Sequence, residues 1–317
     1  MNDSDISIKE GMISLIIPIY NEEDNIDALF DRLDHFISNC KKNVEIIIVD
    51  DHSSDATREK VVGHIPTRDY VRYYRLSRNS GSHIAIICGF AQAKGESAVF
   101  LASDLQDPPE LINELIDEWE KGNDVVWALR EKIEGASWLS RFNSKLYVKL
   151  FNLMANMPSK FQGADFALLD HKVYKSLLHF TGSRPILGPL ITSLGYKQNG
   201  INYIKQERHS GKSKWTLSQK INSFIDSFVG YSYKPLRIMS ICGILISFIG
   251  ILYALFLILN KVFYSNPIEG WTSVMVTILI IGGLQFVMFG VIGEYLWRNL
   301  EESRKRPLYL IEEILGE

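Results

Sequence analysis

Three short polar clusters hold the residues of this sequence best suited to chemistry. Pro18, Ile19, Tyr20, Asn21, Glu22 and Glu23 close one apolar run, and Asp50, Asp51, His52, Ser53, Ser54 and Asp55 close a second. Asp104, Leu105, Gln106, Asp107, Pro108, Pro109 and Glu110 follow a third. Each cluster alone could be a helix N-cap, because Asp and Ser side chains accept exposed amide donors there. Gathered at one edge, they concentrate like charge, which is costly unless a cation or a hydrogen-bonding ligand shares the space. Neither a Walker A sequence nor GxGxxG follows the first run, so the two commonest phosphate cradles are missing. A nucleotide held without them needs acidic groups for base and ribose, a hard divalent cation for the diphosphate, and basic side chains to finish the neutralisation. Arg78 in RNSGSH and Arg208, Lys212 and Lys214 in ERHSGKSKW are the basic candidates.

The elements that must position these clusters alternate. Apolar runs at Ile13 to Pro18, Val44 to Val49, Tyr70 to Leu76 and Ala98 to Leu101 predict strands. Helical spacing predicts helices over Glu22 to Ser38, Asp55 to Val62 and about His83 to Ala93. Alternation of this kind implies βαβ units and a parallel sheet covered on both faces, with ligands beyond the carboxyl ends of its strands. All three polar clusters fall at such ends.

Downstream the hydropathy changes character. Leu236 to Leu259 is an apolar run of about 24 residues whose one charge is Arg237, long enough at about 1.5 Å per residue to cross a hydrocarbon core of roughly 30 Å. A second run extends from Trp271 to Trp297, with its first charge, Glu294, at the far end. Soluble core helices seldom stay apolar on every face for so long. Lys234 and Arg237 precede the first span, and Arg298, Arg304, Lys305 and Arg306 follow the second, so the positive-inside rule places both termini in the cytoplasm. Leu217 to Tyr231 carries Leu217, Ile221, Phe224, Ile225 and Phe228 at helical spacing, an amphipathic helix for the membrane surface or for the soluble domain. Arg208, Gly211, Ser213 and Lys214 lie just before it, where a lipid phosphate would sit. The expected division is a cytoplasmic α/β domain over 1–210, a loop and juxtamembrane helix over 211–234, two spans over 235–298 and a cytoplasmic tail over 299–317.

Composition narrows the classes. Of 317 residues 46% are hydrophobic and 22% charged, which excludes a disordered chain. A net charge of -3 supplies no general basic field, so no nucleic-acid partner is expected. Cys40, Cys88 and Cys242 are too few and too scattered for a disulfide framework or a zinc cluster. The acidic N-terminus has no basic stretch leading into an apolar one, so no cleaved signal peptide is expected.

Taken together, IIPIYNEEDNI, the pattern Asp-Asp-x-Ser-x-Asp-x-Thr at Asp50 to Thr57, Arg-Asn-x-Gly at Arg78 to Gly81, DLQDPPEL, and Arg-x-x-Gly-x-Ser-Lys at Arg208 to Lys214 resemble glycosyltransferase family 2. More narrowly they resemble its polyprenyl-phosphate glycosyltransferases, along essentially the whole chain. The resemblance implies a GT-A, Rossmann-like α/β fold with a C-terminal two-helix transmembrane hairpin, and it makes 1–210 the catalytic domain and the loop within 211–234 that of the acceptor. It implies inverting transfer of a sugar from a nucleotide diphosphate sugar to a polyprenyl phosphate at the cytoplasmic face of the inner (plasma) membrane, and a homo-oligomer.

Carried over by position, Pro18, Tyr20, Asn21, Glu22, Asp50, Asp51, Ser53, Arg78 and Asn79 belong to the nucleotide, with Asp50 in a supporting place. Asp104 and Gln106 belong to Mg2+ or Mn2+. The carboxylate usual two residues before Asp104 is replaced by Ala102, which leaves water, Gln106 or Asp107 to fill the shell. Asp165 matches the family's acidic residue near the acceptor, Arg208 a group on the departing diphosphate, and Ser213 with Lys214 the acceptor phosphate. Two other readings stay open, a catalytically weak nucleotide-sugar-binding membrane protein of an envelope complex and a family 2 transferase with another lipid or glycan acceptor.

Overall fold

A computed structural model describes residues 8–130, 164–180, 182, 185–205, 234–264, 270–304 and 306–316. The expected juxtamembrane helix over Leu217 to Tyr231 lies outside them. The chain divides into two compact units, one built on a sheet and the other on two long helices.

In the first unit, strands and helices follow the order β1 (Lys9–Ile19), α1 (Ile26–Ser38), β2 (Asn43–Asp50), α2 (Thr57–His64), β3 (Val71–Leu76), α3 (Ser82–Gln92), β4 (Gly95–Phe100) and α4 (Ile112–Glu120). Those anticipated from the sequence match to within a few residues, because the apolar runs of the strands end in polar turns and α1 has strong apolar periodicity. Then come β5 (Val125–Arg130), β6 (Ala164–Asp170), α5 (His171–Leu178), α6 (Leu187–Ser193) and β7 (Gln198–Tyr203). The last strand, β8 (Ile311–Leu315), follows the long helices of the second unit.

The eight described strands form one sheet in the order β7-β5-β6-β4-β1-β2-β3-β8. The sheet is mixed rather than all parallel, since β6 pairs antiparallel with β4 and β5, and β8 antiparallel with β3. Every neighbouring pair of a wholly parallel sheet needs a crossover connection, whereas antiparallel pairs such as β4 with β6 and β3 with β8 do not. Within the stretch expected as the tail, β8 joins the sheet, so residues 306–316 belong with the first unit.

Crossovers β1-α1-β2 and β2-α2-β3 step one way, and β3-α3-β4 steps back past β1. With right-handed crossovers this puts α1 and α2 on one face and α3 on the other. In agreement, α1 packs on α2, while α3 packs on β1 and β2. A Cβ at Gly89 would collide with the side chain of Ile16, so only glycine lets α3 settle this close to β1. The middle of β1 shows no alternation of inward and outward residues: Leu15, Ile16 and Ile17 are all buried, as in a strand covered on both faces. The reversal of strand order between β1 and β4 creates the crevice in which open α/β sheets bind ligands.

The second unit contains α7 (Lys234–Tyr264) and α8 (Trp271–Ser303), of 31 and 33 residues. Their apolar side chains face outward, with Ile244 69% and Phe286 76% exposed. Leu236–Tyr253 and Ile280–Ser303 are long and apolar enough to be candidate membrane spans.

Candidate active site

The loops leaving β1 and β2 are stitched together by short polar side chains. Asn21 donates its backbone N–H to Ser53 Oγ at 2.9 Å, and its own Oδ1 accepts the Ser54 N–H at 2.7 Å. Glu22 donates its N–H to Thr57 Oγ1 at 2.7 Å, and Glu23 Oε2 accepts the Ala56 N–H at 2.9 Å. Thus two of the three polar clusters form a continuous rim. Pro18 lies inside β1 opposite Val49, and Tyr20, directly after the strand, is 39% exposed.

Asp50 is completely buried. Its Oδ1 accepts the Ser53 N–H and Oγ–H at 2.8 and 2.6 Å, and its Oδ2 accepts Tyr73 Oη–H at 2.7 Å and Arg75 Nη1–H at 2.8 Å. With these contacts, Asp50 acts on the rim through Ser53 rather than by facing a ligand. Arg75 also donates to Ser53 O at 2.9 Å. It was missed in the sequence, although two arginines, Arg72 and Arg75, in the six-residue VRYYRL strand were a usable signal, since buried charge is kept only when paired.

Asp51 reaches across to the β3–α3 loop, where Oδ1 accepts the Ser80 N–H at 2.6 Å and Oδ2 the Gly81 N–H at 2.8 Å. Burial pushes the Asp51 carboxyl above its ordinary range, against the opposing pull of these two amides. Gly81 has φ 94°, a conformation that favours glycine, and so turns the chain directly into α3. Arg78 and Asn79 lie exposed in the same loop.

Beyond β4, Asp104 is nearly buried and accepts the Gln106 N–H at 3.3 Å. Between them Leu105 adopts φ 60°, and its carbonyl accepts Arg32 Nη1–H from α1 at 3.2 Å. Asn21, His52 and Leu105 are the non-glycine residues with positive φ among the described residues, one in each of the three loops. Backbone held in this sparsely populated region clusters at functional sites because surrounding contacts must enforce it.

Asp107 is engaged elsewhere. It accepts Tyr203 Oη–H at 2.5 Å and pairs with Lys205 Nζ at 3.2 Å. Those bonds, both to Oδ1, tie the loop to the end of β7. Among the described residues no cluster of three or more His, Cys, Asp or Glu could hold a metal. Asp104 with Gln106 still fits a hard cation of the Mg2+ type, which is commonly bound by one or two carboxylates and completed by substrate phosphates and water.

Asp165 belongs to β6, and Ala167 pairs with Phe100 at the end of β4. Because β6 runs against β4, its beginning lies at the edge where β4 ends, which brings the backbone of Asp165 to the same side of the sheet as Asp104. Arg208, Ser213 and Lys214 lie outside the described residues.

Comparison with known proteins agrees with this architecture. The family described as Glycosyl transferase family 2 matches residues 14–178. An uncharacterized glycosyltransferase of Synechocystis sp. is 36% identical over 304 residues, 96% of each chain. The bactoprenol glucosyl transferase of Shigella phage SfV is 30% identical over 301 residues, 95% of this chain and 98% of that one. A mannosyltransferase from Pyrobaculum calidifontis, solved in complex with GDP-Man and Mn2+, is 18% identical with a TM-score of 0.50, covering 71% of this chain and 64% of its own. With a GT-A mixed sheet, polar loops at its carboxyl edge and similarity along nearly the whole chain, the protein belongs to glycosyltransferase family 2, related to the bactoprenol glucosyl transferases.

Proposed function

We propose that this chain transfers a sugar, with inversion, from a nucleotide diphosphate sugar to a polyprenyl phosphate at the cytoplasmic face of the plasma membrane, for modification of envelope glycans. The observation that carries the reading is similarity to bactoprenol glucosyl transferases over 95% of the chain, a span that includes both long apolar helices as well as the sheet.

The nucleoside sits on the rim built from Pro18, Tyr20, Asn21, Glu22, Asp51 and Ser53, with Asp50 fixing Ser53 and with Arg78 and Asn79 on the adjoining loop. Asp104 and Gln106 would hold Mg2+ or Mn2+, which when bound neutralises charge on the diphosphate. Asp165 orients the acceptor or sugar and stabilises positive charge developing at the anomeric carbon. Arg208 stabilises the departing diphosphate, and Ser213 and Lys214 hold the acceptor phosphate.

A phosphate monoester has a second pKa of about 6 and is already largely anionic at neutral pH, so the acceptor needs little help from a base. One of its oxygens forms a bond to the anomeric carbon from the face opposite the diphosphate. The bond between that carbon and the diphosphate oxygen breaks, and the nucleoside diphosphate leaves with the electron pair. Held at the membrane by α7 and α8, the catalytic unit searches for its acceptor within a plane.

Transfer of radiolabelled sugar from UDP-glucose, UDP-GlcNAc or GDP-mannose into a chloroform-extractable, mild-acid-labile product tests the proposal. Membranes supplied with a short-chain polyprenyl phosphate should form that product with one donor. Nucleotide-sugar binding without product, across these donors and both metals, would instead support a binding protein, a second reading motivated by Ala102.

A further inference from the structure

We propose that the chain segment after the second long helix braces the donor pocket, and that Glu312 on β8 is a positioning residue for nucleoside diphosphate binding. The inference rests on the reading of the β1, β2 and β3 loops as that pocket.

Residues 306–316 dock on the sheet at several independent points. Leu308, Tyr309, Ile311 and Leu315 pack against the core. Gly316 passes so near Val71 O that a Cβ there would strike it. Arg58 of α2 makes a two-point ion pair with Glu313, its Nε lying 2.8 Å from Oε2. These contacts fix β8 whether or not a ligand is present.

Two further contacts go to the pocket loops. Leu310 O accepts the N–H of Ser77 at 2.9 Å, at the start of the loop whose Ser80 and Gly81 amides are held by Asp51. Glu312 Oε2 lies 3.4 Å from Arg75 Nε and 3.5 Å from His52 Nδ1. Arg75 already binds Asp50 and Ser53 O, so its guanidinium joins β8, β2 and the β2 loop in a single planar fork. His52, the neighbour of Asp51, has φ 64°, with Nδ1 also 3.1 Å from Leu76 O. Glu312 therefore touches both the arginine that sets the rim and the residue that bends the backbone beside Asp51.

The Glu312 side chain is 52% exposed, and an exposed pair contributes little to global stability. Its loss is felt at the pocket rather than in the fold. Linkage also requires the reciprocal effect, in which bound nucleotide holds β8 more firmly against β3.

The test uses the full chain in detergent, with UDP and GDP each titrated calorimetrically in the presence of Mn2+. Glu312→Gln should weaken whichever nucleotide the wild type binds by about threefold, with an unfolding midpoint within about 2 °C of wild type. The same nucleotide should slow hydrogen exchange of the 311–315 amides in the wild type and do so less in the variant. Wild-type affinity in Glu312→Gln, or exchange of β8 indifferent to nucleotide, would overturn the proposal while leaving the pocket in place. A wild type that binds neither nucleotide would overturn the pocket reading itself, and the inference with it.

Discussion

Asp51 accepts the backbone N–H of Gly81 at 2.8 Å, which joins the loop leaving β2 to the loop that opens α3. The carboxylate spans two segments that come together only because β2 and β3 are parallel neighbours. Since burial raises the Asp51 pKa, its charged form costs stability as pH rises through the folded value, and that cost is absent at lower pH. Asp51→Asn removes the buried charge but mispairs one of the two amides, so the effects offset. The variant should melt within about 3 °C of wild type in detergent at neutral pH while nucleotide affinity falls about tenfold or more. Calorimetric titration beside a thermal melt checks both halves.

Asp104→Asn should keep the fold and lose turnover, by about a hundredfold, because the residue stands in a strand-end loop and not in the packed core. Initial rates against Mn2+ concentration are the measurement. Unchanged activity at limiting Mn2+ would remove Asp104 from the metal site.

Lys214→Ala should raise the KM for polyprenyl phosphate more than that for the nucleotide sugar, by about tenfold for the loss of one charge-assisted contact. Steady-state kinetics with each substrate varied in turn distinguishes the cases. The reverse pattern would move this residue to the donor.

A pH prediction comes from outside the site. Arg68 Nη2 lies 2.6 Å from Asp34 Oδ2, and this hydrogen bond above all lowers the Asp34 pKa from its ordinary 3.8. A depressed carboxylate contributes stability that is fully present above the unfolded value and is lost as pH falls through the folded one. Asp34→Asn should therefore melt below wild type at neutral pH, and the gap should close in strong acid. Thermal midpoints across an acid series, in detergent, give the comparison.

Much of the candidate site was legible because its polar residues are local signals. IIPIY, EIIIVD and ESAVF are short apolar runs that end in or lead to turn-forming or acidic residues, so both the strands and the chemistry at their ends follow from neighbouring side chains. The division of labour within the clusters was not legible. Asp50 and Asp51 are adjacent and identical in type, yet one is consumed by Ser53, Tyr73 and Arg75 while the other bridges to Ser80 and Gly81. Likewise nothing local pairs Asp107 with Tyr203 and Lys205, both of which reach its Oδ1.

The sequence alone determined the α/β alternation of the first hundred residues, the acidic carboxyl edge and the two long apolar helices, because periodicity and run length are properties of contiguous chain. Only the tertiary structure decided that β6 enters antiparallel beside β4 and that β8 closes the sheet on β3. The Arg58 and Glu313 partners are 255 residues apart. No local pattern encodes such a pairing; it is selected by the edge hydrogen bonds, apolar burial and charge that become available once the rest of the sheet has formed.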